Sequence, residues 1–502
     1  MDMIGDMDLN GYFNELAENF GDKTAIIFEN GDENPISLSY KELNSNINKA
    51  ANLLISKGIK QGDFVALHLK NGIDFVLGFF AACKIGAIAV PINANFLRND
   101  AEFIIKKTNP KLLITKQEFS HIYDDLRPND MQILLGLSNQ IDDCCEILNT
   151  PKIDNLKPAQ IIFTSGTSSF PKGVVITHYN LIFAGHYSSW QIGLNGDDRY
   201  LTAMPLWHID AQCTAMMPTF SRGATFVLAY RYSASKFWSW ILKHKITITE
   251  CIPKMMRTLM LQKIAAGEKD HSLREMLFYL NINEADLQKF LDRFNLKSVL
   301  TSYGMSETIV GLITDRPYER RKFPSIGRVG FCYEAKIVDK CGSELLPFEN
   351  GEIWIKGERG KSIFDGYFND ENATSKAFSD DGWLKTGDIG YTDESGYFYF
   401  VDRNINLIKV SGENVSSIEV ENYISSCEKI LEVAVVGVED ECCGEIVKAC
   451  VVLKSGEILR EDELIRYCKK GLAKFKVPSI VQFYDKLPKT STGKVRKNLL
   501  KG

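Results

Sequence analysis

Along residues 38–115, the hydrophobic positions follow two spacings in turn, one typical of amphipathic helices and one typical of buried strands. Residues 40–57 repeat apolar side chains at helical spacing, and one face consists of Leu43, Ile47, Ala50, Leu53 and Leu54. Short, mainly apolar runs at residues 64–69 and 111–115 predict short strands. Helices and strands in alternation predict a layered α/β sheet.

The same alternation returns in residues 225–301, after a segment rich in Ser, Thr and Gly. Between residues 327 and 401, alternating strands separated by glycine turns predict a β-rich subdomain. A smaller α/β pattern fills residues 418–483. We therefore predict an α/β protein in which residues 1–402 form two layered α/β subdomains and a β-barrel-like subdomain. Residues 403–502 are predicted to form a small α+β domain.

One stretch, residues 75–92, is apolar enough to suggest a membrane span. Lys84 interrupts it, Gly86 follows and Pro91 ends it. The pattern fits a buried helix over residues 73–84 that turns into a buried strand over residues 87–90. No membrane-spanning segment is predicted.

Composition and charge exclude several classes of protein. With 502 residues, 45% of them hydrophobic, the chain can bury a large core and is expected to be a multidomain enzyme. Lys and Arg number 59 and Asp and Glu 64, which gives a net charge of −5, and no basic run suggests nucleic-acid binding. The cysteines and histidines lack the Cys-x-x-Cys and His-x-x-x-His spacings of zinc or iron–sulfur sites. An acidic N-terminus unlike a leader sequence predicts a cytoplasmic protein with reduced cysteines.

A segment whose composition suggests phosphate binding begins directly after the apolar residues 161–163. It reads Thr-Ser-Gly-Thr-Ser-Ser-Phe-Pro-Lys-Gly over residues 164–173. Glycine allows close approach of backbone N–H groups, hydroxyls donate to oxyanions and Lys172 adds a full charge, so the composition suits a phosphate cradle. A polar surface loop is the alternative. A Walker A loop is excluded because Lys172 precedes Gly173 instead of standing before Ser or Thr.

This loop resembles the phosphate-binding signature of the adenylate-forming superfamily, which includes acyl-CoA synthetases, luciferases and peptide-synthetase adenylation domains. Ser168 and Ser169 replace the usual Thr-Gly pair. Further segments resemble the superfamily's other signatures in the expected order: Tyr-Gly-Met-Ser-Glu-Thr at 303–308, Trp-Leu-Lys-Thr-Gly-Asp at 383–388 and Pro-Lys-Thr-Ser-Thr-Gly-Lys at 488–494. Read alone, these segments would be a helix cap, a turn and a solvated basic tail.

The resemblance implies a ligase that uses ATP, Mg²⁺ and coenzyme A to activate a small-molecule carboxylate. It assigns the metal to Glu307, the α-phosphate to Thr308, and the ribose to Asp388 and Arg403. It assigns the remaining ATP contacts to Thr164, Ser165, Gly166, Thr167, Lys172, Tyr303 and Gly304. These roles suit the residue types, since carboxylates bind hard cations and vicinal hydroxyls, and hydroxyls donate to phosphate.

The resemblance also implies a mobile C-terminal domain whose Lys494 enters the active site for adenylation. A cation between the attacking carboxylate and the α-phosphate stabilises the charge of the transition state. A hinge is expected between Arg403 and Lys409, although Ile405 stands where relatives have Asp or Lys. The loop of Ser411, Gly412 and Glu413 is expected to replace Lys494 for thioester formation. A second departure, at residues 280–284, affects the expected adenine loop.

The acid substrate is the least constrained part of the prediction. Trp207, His208 and Asp210 lie in a segment that resembles the border of the carboxylate pocket, with Trp190 nearby in sequence. The resemblance implies that His208 is a catalytic residue as well as Lys494. An acidic side chain and indole rings suit a cationic substrate head. The alternative is that Asp210 caps a helix starting near Ala211 and that the tryptophans belong to the core.

Stretches outside the general signatures, among them residues 208–217 and 249–260, resemble the bacterial crotonobetaine/carnitine–CoA ligases, which implies carnitine, crotonobetaine or γ-butyrobetaine as substrate. A short- or medium-chain fatty acyl-CoA synthetase, an adenylating enzyme with a carrier-protein acceptor and a non-catalytic nucleotide sensor stay open as alternatives. The sequence does not specify an oligomeric state.

Overall fold

The computed structural model describes residues 2, 4–31, 33–126, 130–164, 171–279, 284–297, 299–317, 319–403, 406–410, 413–440, 444–489 and 495–501. Among these residues, no helix combines the length and the apolar character needed to cross a membrane. The α-helices are α1 (Leu9–Phe20), α2 (Tyr40–Ser56), α3 (Ile73–Lys84), α4 (Arg98–Thr108), α5 (Gln117–Ser120), α6 (His178–Gln191), α7 (Met217–Ser221), α8 (Phe237–Lys243), α9 (Pro253–Met260), α10 (Glu284–Phe294), α11 (Glu371–Ala377), α12 (Ser417–Ser425) and α13 (Glu461–Cys468).

The strands of the first 300 residues form two sheets. They are β1 (Thr24–Glu29), β2 (Ile36–Ser39), β3 (Phe64–His68), β4 (Ile88–Ile92), β5 (Leu112–Thr115), β6 (Gln132–Leu135), β7 (Pro158–Thr164), β8 (Lys172–Thr177), β9 (Arg199–Thr202), β10 (Thr225–Ala229), β11 (Ile248–Cys251) and β12 (Glu275–Phe278). One sheet has the order β12-β11-β9-β10-β1-β2. The other includes β8-β7-β4-β3-β5-β6 and gains β18 (Gly366–Tyr367) from later in the chain. The two predicted α/β layers are confirmed.

Local sequence accounts well for the first helices. Helix α2 starts at a capping box in which Ser39 and Glu42 bind each other's backbone N–H groups, and its buried face includes Leu43, Ile47 and Leu54. The predicted helix over residues 73–84 is α3, and strand β4 follows it. Every residue of α3 is buried, including Lys84. The prediction of a buried helix followed by a buried strand is thereby confirmed.

The β-rich region contains β13 (Ser302–Tyr303), β14 (Ile313–Thr314), β15 (Arg328–Val329), β16 (Glu334–Val338), β17 (Gly351–Lys356), β19 (Leu384–Thr392) and β20 (Phe398–Arg403). Strands β16-β17-β19-β20 form an antiparallel sheet, and β13-β14-β15 form a smaller one. The barrel-like closure that the sequence suggested is not found in the described residues. Within the described part of the chain, the end strands of the larger sheet, β16 and β20, lie at its two edges and do not pair with each other.

The C-terminal strands are β21 (Ile408–Val410), β22 (Glu413–Val415), β23 (Ile430–Asp440), β24 (Gly444–Leu453) and β25 (Ile480–Phe483), and they form one sheet. This sheet packs with α12 and α13 around a core of its own, which includes Val420, Val435 and Leu464. At the junction with β20, Asp402 is fully buried and accepts a 2.7 Å hydrogen bond from the Ser417 hydroxyl at the start of α12.

Candidate active site

A hairpin holds the two ends of the predicted phosphate loop together. Strands β7 and β8 are antiparallel, and Thr164 pairs in register with Lys172. The Thr164 hydroxyl donates to the Lys172 carbonyl oxygen at 3.4 Å. Ser165, Gly166 and Thr167 lie outside the described residues. The hairpin register brings both ends of the loop to the same edge of the sheet.

Tyr367 connects this edge to the predicted metal ligand. Strand β18 pairs with β8, and Tyr367 stands opposite Val174. Its hydroxyl donates to Oε1 of Glu307 at 2.7 Å, and the Nζ of Lys172 lies 4.7 Å from the centre of its ring. Burial, followed by the charge of Glu307, raises the pKa of Tyr367 above its usual range, so the phenol stays a donor. Lys172 and Glu307 therefore share one aromatic neighbour.

The segment after β13 turns tightly through Gly304 to Ile309. A Cβ at Gly304 would lie 2.3 Å from the Val310 carbonyl oxygen, so only glycine fits there. The Thr308 hydroxyl, fully buried, lies 3.0 Å from the carbonyl oxygens of both Met305 and Val310. Ile309 has a φ of 66°, a conformation that strains a β-branched residue. Strain of this kind is common at functional sites, and here it lies directly after the Glu307–Thr308 pair.

Three segments that are distant in sequence meet at Asp388. This carboxylate is 3% exposed and lies on β19, in register with Arg403 on β20. It accepts a hydrogen bond from the Tyr303 hydroxyl at 2.6 Å, and the Nε of Arg403 lies 3.1 Å from its Oδ1. Burial and then the charge of Asp388 raise the pKa of Tyr303 well above its usual range. The structure thus brings Tyr303, a predicted ATP contact, together with Asp388 and Arg403, the two predicted ribose contacts.

The loop after β9 carries the residues predicted to border the acid pocket. Asn71 fixes this loop, since its amide oxygen accepts from the Leu206 N–H at 2.8 Å and its amide nitrogen donates to the Met204 carbonyl at 2.9 Å. The ring centres of Trp207 and His208 are 6.4 Å apart, and both side chains are partly buried. The side chain of Asn71 therefore holds the backbone of this loop in place.

Asp210 does not act as the helix cap that the sequence left open. A π-helical turn does begin at Ala211, but the Asp210 side chain makes no capping hydrogen bond to it. Instead, Thr214, Glu250 and Tyr279 surround its carboxyl group, and burial raises the pKa of Asp210 above its usual range. Trp190 is directed elsewhere, because its ring packs on Phe331 at 4.7 Å between ring centres.

The catalytic lysine and the thioester loop fall largely outside the described residues. The residues outside are Lys494, Ser411 and Gly412. Ile405, at the expected hinge, and residues 280–283, in the expected adenine loop, are also outside. Glu413 begins β22, and its backbone pairs with Val410, but its side chain is not described. On either side of the Lys494 segment, Lys489 and Val495 form an antiparallel bridge.

Two residues of this region were missed from the sequence, Tyr367 and Glu250. Tyr367 lies in a Gly-Tyr dipeptide with no local signal of its own, and only the pairing of β18 with β8 brings it to Glu307. Glu250 is the charged residue of the short buried strand β11 and is 1% exposed. A charged residue inside a buried strand pattern was the signal that could have identified it.

Comparison with known proteins gives consistent results over the whole chain. Residues 13–368 match the model of the AMP-binding enzymes, and residues 419–494 match that of the AMP-binding enzyme C-terminal domain. A crotonobetaine/carnitine–CoA ligase from Proteus mirabilis is 49% identical over 518 aligned residues, which cover 100% of both chains.

Solved structures match over nearly the same length. ATP-bound MatB from Rhodopseudomonas palustris has a TM-score of 0.90 at 25% identity, and the match covers 99% of this chain and 98% of that one. o-Succinylbenzoate CoA synthetase (MenE) from Bacillus subtilis, in complex with ATP and a magnesium ion, has a TM-score of 0.87 at 30% identity over 98% of this chain and 99% of its own.

Proposed function

This chain belongs to the AMP-binding enzyme family, and we propose that it is an ATP-dependent ligase that joins a carboxylic acid to coenzyme A through an acyl-adenylate. The observation that carries the proposal is that Tyr303 and Arg403 both contact the buried carboxylate of Asp388. A buried carboxylate with an aromatic ring beside it suits a nucleoside, because it accepts hydrogen bonds from two vicinal hydroxyls while the ring stacks on the base.

The residue roles that we propose follow the superfamily resemblance. Asp388 and Arg403 bind the ribose, Thr308 binds the α-phosphate and Glu307 holds the metal. Lys494 stabilises the adenylation transition state, and the loop of Ser411, Gly412 and Glu413 serves the thioester step. The remaining ATP contacts are Thr164, Ser165, Gly166, Thr167, Lys172, Tyr303 and Gly304, and the acid pocket is bordered by Trp207, His208 and Asp210.

The chemistry consists of two displacements. First, a carboxylate oxygen attacks the α-phosphorus and pyrophosphate leaves; then the CoA thiol attacks the carbonyl carbon and AMP leaves. Carboxylate and phosphate repel each other, so the first step needs fixed donors and cations around the reacting oxygens. Thr308 can supply a hydroxyl whose position is already fixed by the turn, and Lys172 a charge at the edge of the phosphate loop.

The donor set at Glu307 fits Mg²⁺. Its carboxylate is a hard oxygen ligand, and Tyr367 binds one of the two oxygens, which leaves the second for an ion. Bound Mg²⁺ would neutralise charge on the phosphates of ATP. The hydrogen bond from Tyr367 fixes the orientation of the carboxylate, the usual function of the residue behind a metal ligand.

For the acid we propose a carnitine-type substrate, namely carnitine, crotonobetaine or γ-butyrobetaine, because the Proteus mirabilis relative is a crotonobetaine/carnitine–CoA ligase at 49% identity. We further propose that residues 1–402 and 403–502 are the two domains and that the second rotates between the steps. The separate core of the C-terminal sheet supports this division. We also propose that the enzyme is cytoplasmic, where its cysteines stay reduced.

The test is CoA-dependent AMP formation from ATP with a panel of acids: carnitine, crotonobetaine, γ-butyrobetaine, acetate and octanoate. With the carnitine-type acids, we expect repeated turnovers of AMP release only when CoA is present. A preference for octanoate or acetate would identify a fatty acyl-CoA synthetase. Pyrophosphate exchange without CoA-driven AMP release would point to a carrier-protein acceptor, and no reaction with ATP would contradict the proposal.

A further inference from the structure

A buried acidic pair lies beneath the loop that carries His208. Glu250, on β11, is 1% exposed, and its Oε1 accepts a hydrogen bond from the Thr202 hydroxyl at the end of the neighbouring strand β9. The carboxyl group of Asp210 lies beside Glu250, and the Asp210 residue is partly exposed. The two carboxyl groups nevertheless form a pair that is shielded from solvent.

Several buried polar groups surround this pair. Among them are the hydroxyls of Tyr200 and Tyr279, and Tyr279 and Glu250 both neighbour the carboxyl group of Asp210. Tyr200 is fully buried, and the charges of Glu250 and Asp210 both act on its hydroxyl. Polar and acidic groups gathered at one buried place suit a charged ligand better than an apolar one.

The charges point to a ligand of positive charge. No lysine, arginine or histidine of the described chain forms an ion pair with Asp210 or Glu250. Burial raises the pKa of both carboxyl groups, and for Glu250 the neighbouring Asp210 raises it further. In the free protein the pair thus retains a proton that a bound cation can replace.

The position of the pair relates it to the nucleotide site. Strands β9, β11 and β12 are adjacent, and their carboxyl ends bring Thr202, Glu250 and Tyr279 to one edge of the sheet. Ligands of open α/β sheets bind at this kind of edge. Next to β12 runs the segment that leads to Tyr303, through the parallel bridge between Leu277 and Leu300. At about 4.8 Å per strand, two spacings separate Glu250 from that segment, or about 10 Å.

We propose that Asp210 and Glu250, together with Tyr200 and Tyr279, form the subsite that binds the cationic ammonium head of the acid substrate. This inference rests on the proposed function, because it assigns the specificity of the same site. The carboxylates supply negative charge, and the phenol rings supply π faces that attract a quaternary ammonium. A molecule with its carboxylate a few bonds from its cation can then extend from this pair toward Thr308.

The experiment compares γ-butyrobetaine with 5,5-dimethylhexanoate, which has the same shape but carries carbon in place of the charged nitrogen. The variants are Glu250→Gln, Asp210→Asn and Tyr279→Phe, and kcat/KM is measured by ATP–pyrophosphate exchange. For Glu250→Gln and Asp210→Asn, we expect about a 30-fold or greater loss with γ-butyrobetaine, as for the loss of a buried charge partner. With the neutral acid, kcat/KM should change by no more than about 3-fold, which is the usual effect of losing a single neutral contact.

Glu275→Gln is the matched control. Glu275 is also a buried glutamate, 7% exposed, but it lies at the opposite, amino end of β12. Its substitution should leave the ratio of the two acids unchanged. The activity of each variant with the neutral acid reports on folding, and Tyr279→Phe, which removes only a hydroxyl, keeps the test open if Glu250→Gln does not fold.

The outcomes separate the two levels of the proposal. If the wild-type enzyme activates neither acid, the proposed function fails. If it prefers γ-butyrobetaine and the Glu250 and Asp210 variants keep that preference, the function stands and the subsite assignment is overturned. Loss of the preference in these variants, with retained activity toward the neutral acid, supports the assignment.

Discussion

The substitution Asp388→Asn tests the nucleotide site at a single carboxylate. Asparagine keeps the size of the side chain and an oxygen for the Tyr303 hydroxyl, now 2.6 Å from Asp388. Arg403 loses its ion-pair partner, but its side chain is 45% exposed, so water solvates it. We therefore expect the variant to fold and to bind ATP more weakly.

The size of the effect follows from the hydrogen bonds to the ribose. A hydrogen bond to a charged group contributes about 1.5–3 kcal/mol, which corresponds to about a 10- to 150-fold change in affinity. The wild-type enzyme should therefore prefer ATP over 2′-deoxy-ATP by a factor in this range. In Asp388→Asn the preference should fall to about 3-fold or less, because a neutral amide discriminates weakly.

The assay is ATP–pyrophosphate exchange with each nucleotide, with kcat/KM as the readout. Asp393→Asn is the matched control, since Asp393 is 7% exposed in the turn that follows β19 and binds Lys322 at 2.5 Å. That variant should keep the wild-type preference. A folded Asp388→Asn enzyme that still discriminates against 2′-deoxy-ATP as the wild type does would refute the assignment of Asp388 to the ribose.

Three further predictions concern the metal, pH and the mobile lysine. Tyr367→Phe removes the donor that orients Glu307, so the Mg²⁺ concentration for half-maximal exchange should rise about 10-fold, the usual effect of losing a residue behind a metal ligand; an unchanged Mg²⁺ titration would contradict this. Burial raises the pKa of Glu275 to about 7, so the folded protein keeps a proton that the unfolded chain has already lost. The free energy of unfolding therefore falls as the pH rises through 7. In denaturant titrations the wild type should lose about 2 kcal/mol more than Glu275→Gln between pH 5 and pH 8, and parallel losses would refute that pKa. Lys494→Ala should slow adenylation about 100-fold or more while thioester formation from preformed adenylate changes much less, and equal losses in both half-reactions would exclude a role specific to the first.

Local patterns predicted the parts of the fold that depend on neighbours in sequence. The apolar run at residues 75–92 is an example, since it divides near Lys84 and Gly86 into a helix and a strand, as the structure confirms; the strand β4 continues through Pro91 to Ile92 instead of ending before it. The hydrogen-bond partners of the Lys84 ammonium could not be predicted. This ammonium is fully buried and donates to the amide oxygens of Asn44 and Asn48 at 2.5 and 2.8 Å. That contact depends on the packing of α2 against α3, which no short stretch specifies.

The candidate site divides in the same way. The resemblance named Tyr303, Asp388 and Arg403 in three distant segments, and the structure brings them together. Tyr367 and Glu250 escaped because sheet order, not spacing along the chain, sets their neighbours. Trp190 was grouped with the acid pocket because it is near in sequence, yet its position on α6 directs it toward Phe331.

The central claim is that the acid is activated as an adenylate, and isotope transfer tests it most directly. The enzyme is incubated with ATP, CoA and an acid whose carboxylate oxygens are both ¹⁸O, and AMP and pyrophosphate are analysed by mass spectrometry. Attack of the carboxylate on the α-phosphorus predicts that AMP gains one ¹⁸O and pyrophosphate gains none. AMP or ADP without label, or label in orthophosphate, would contradict an adenylate intermediate.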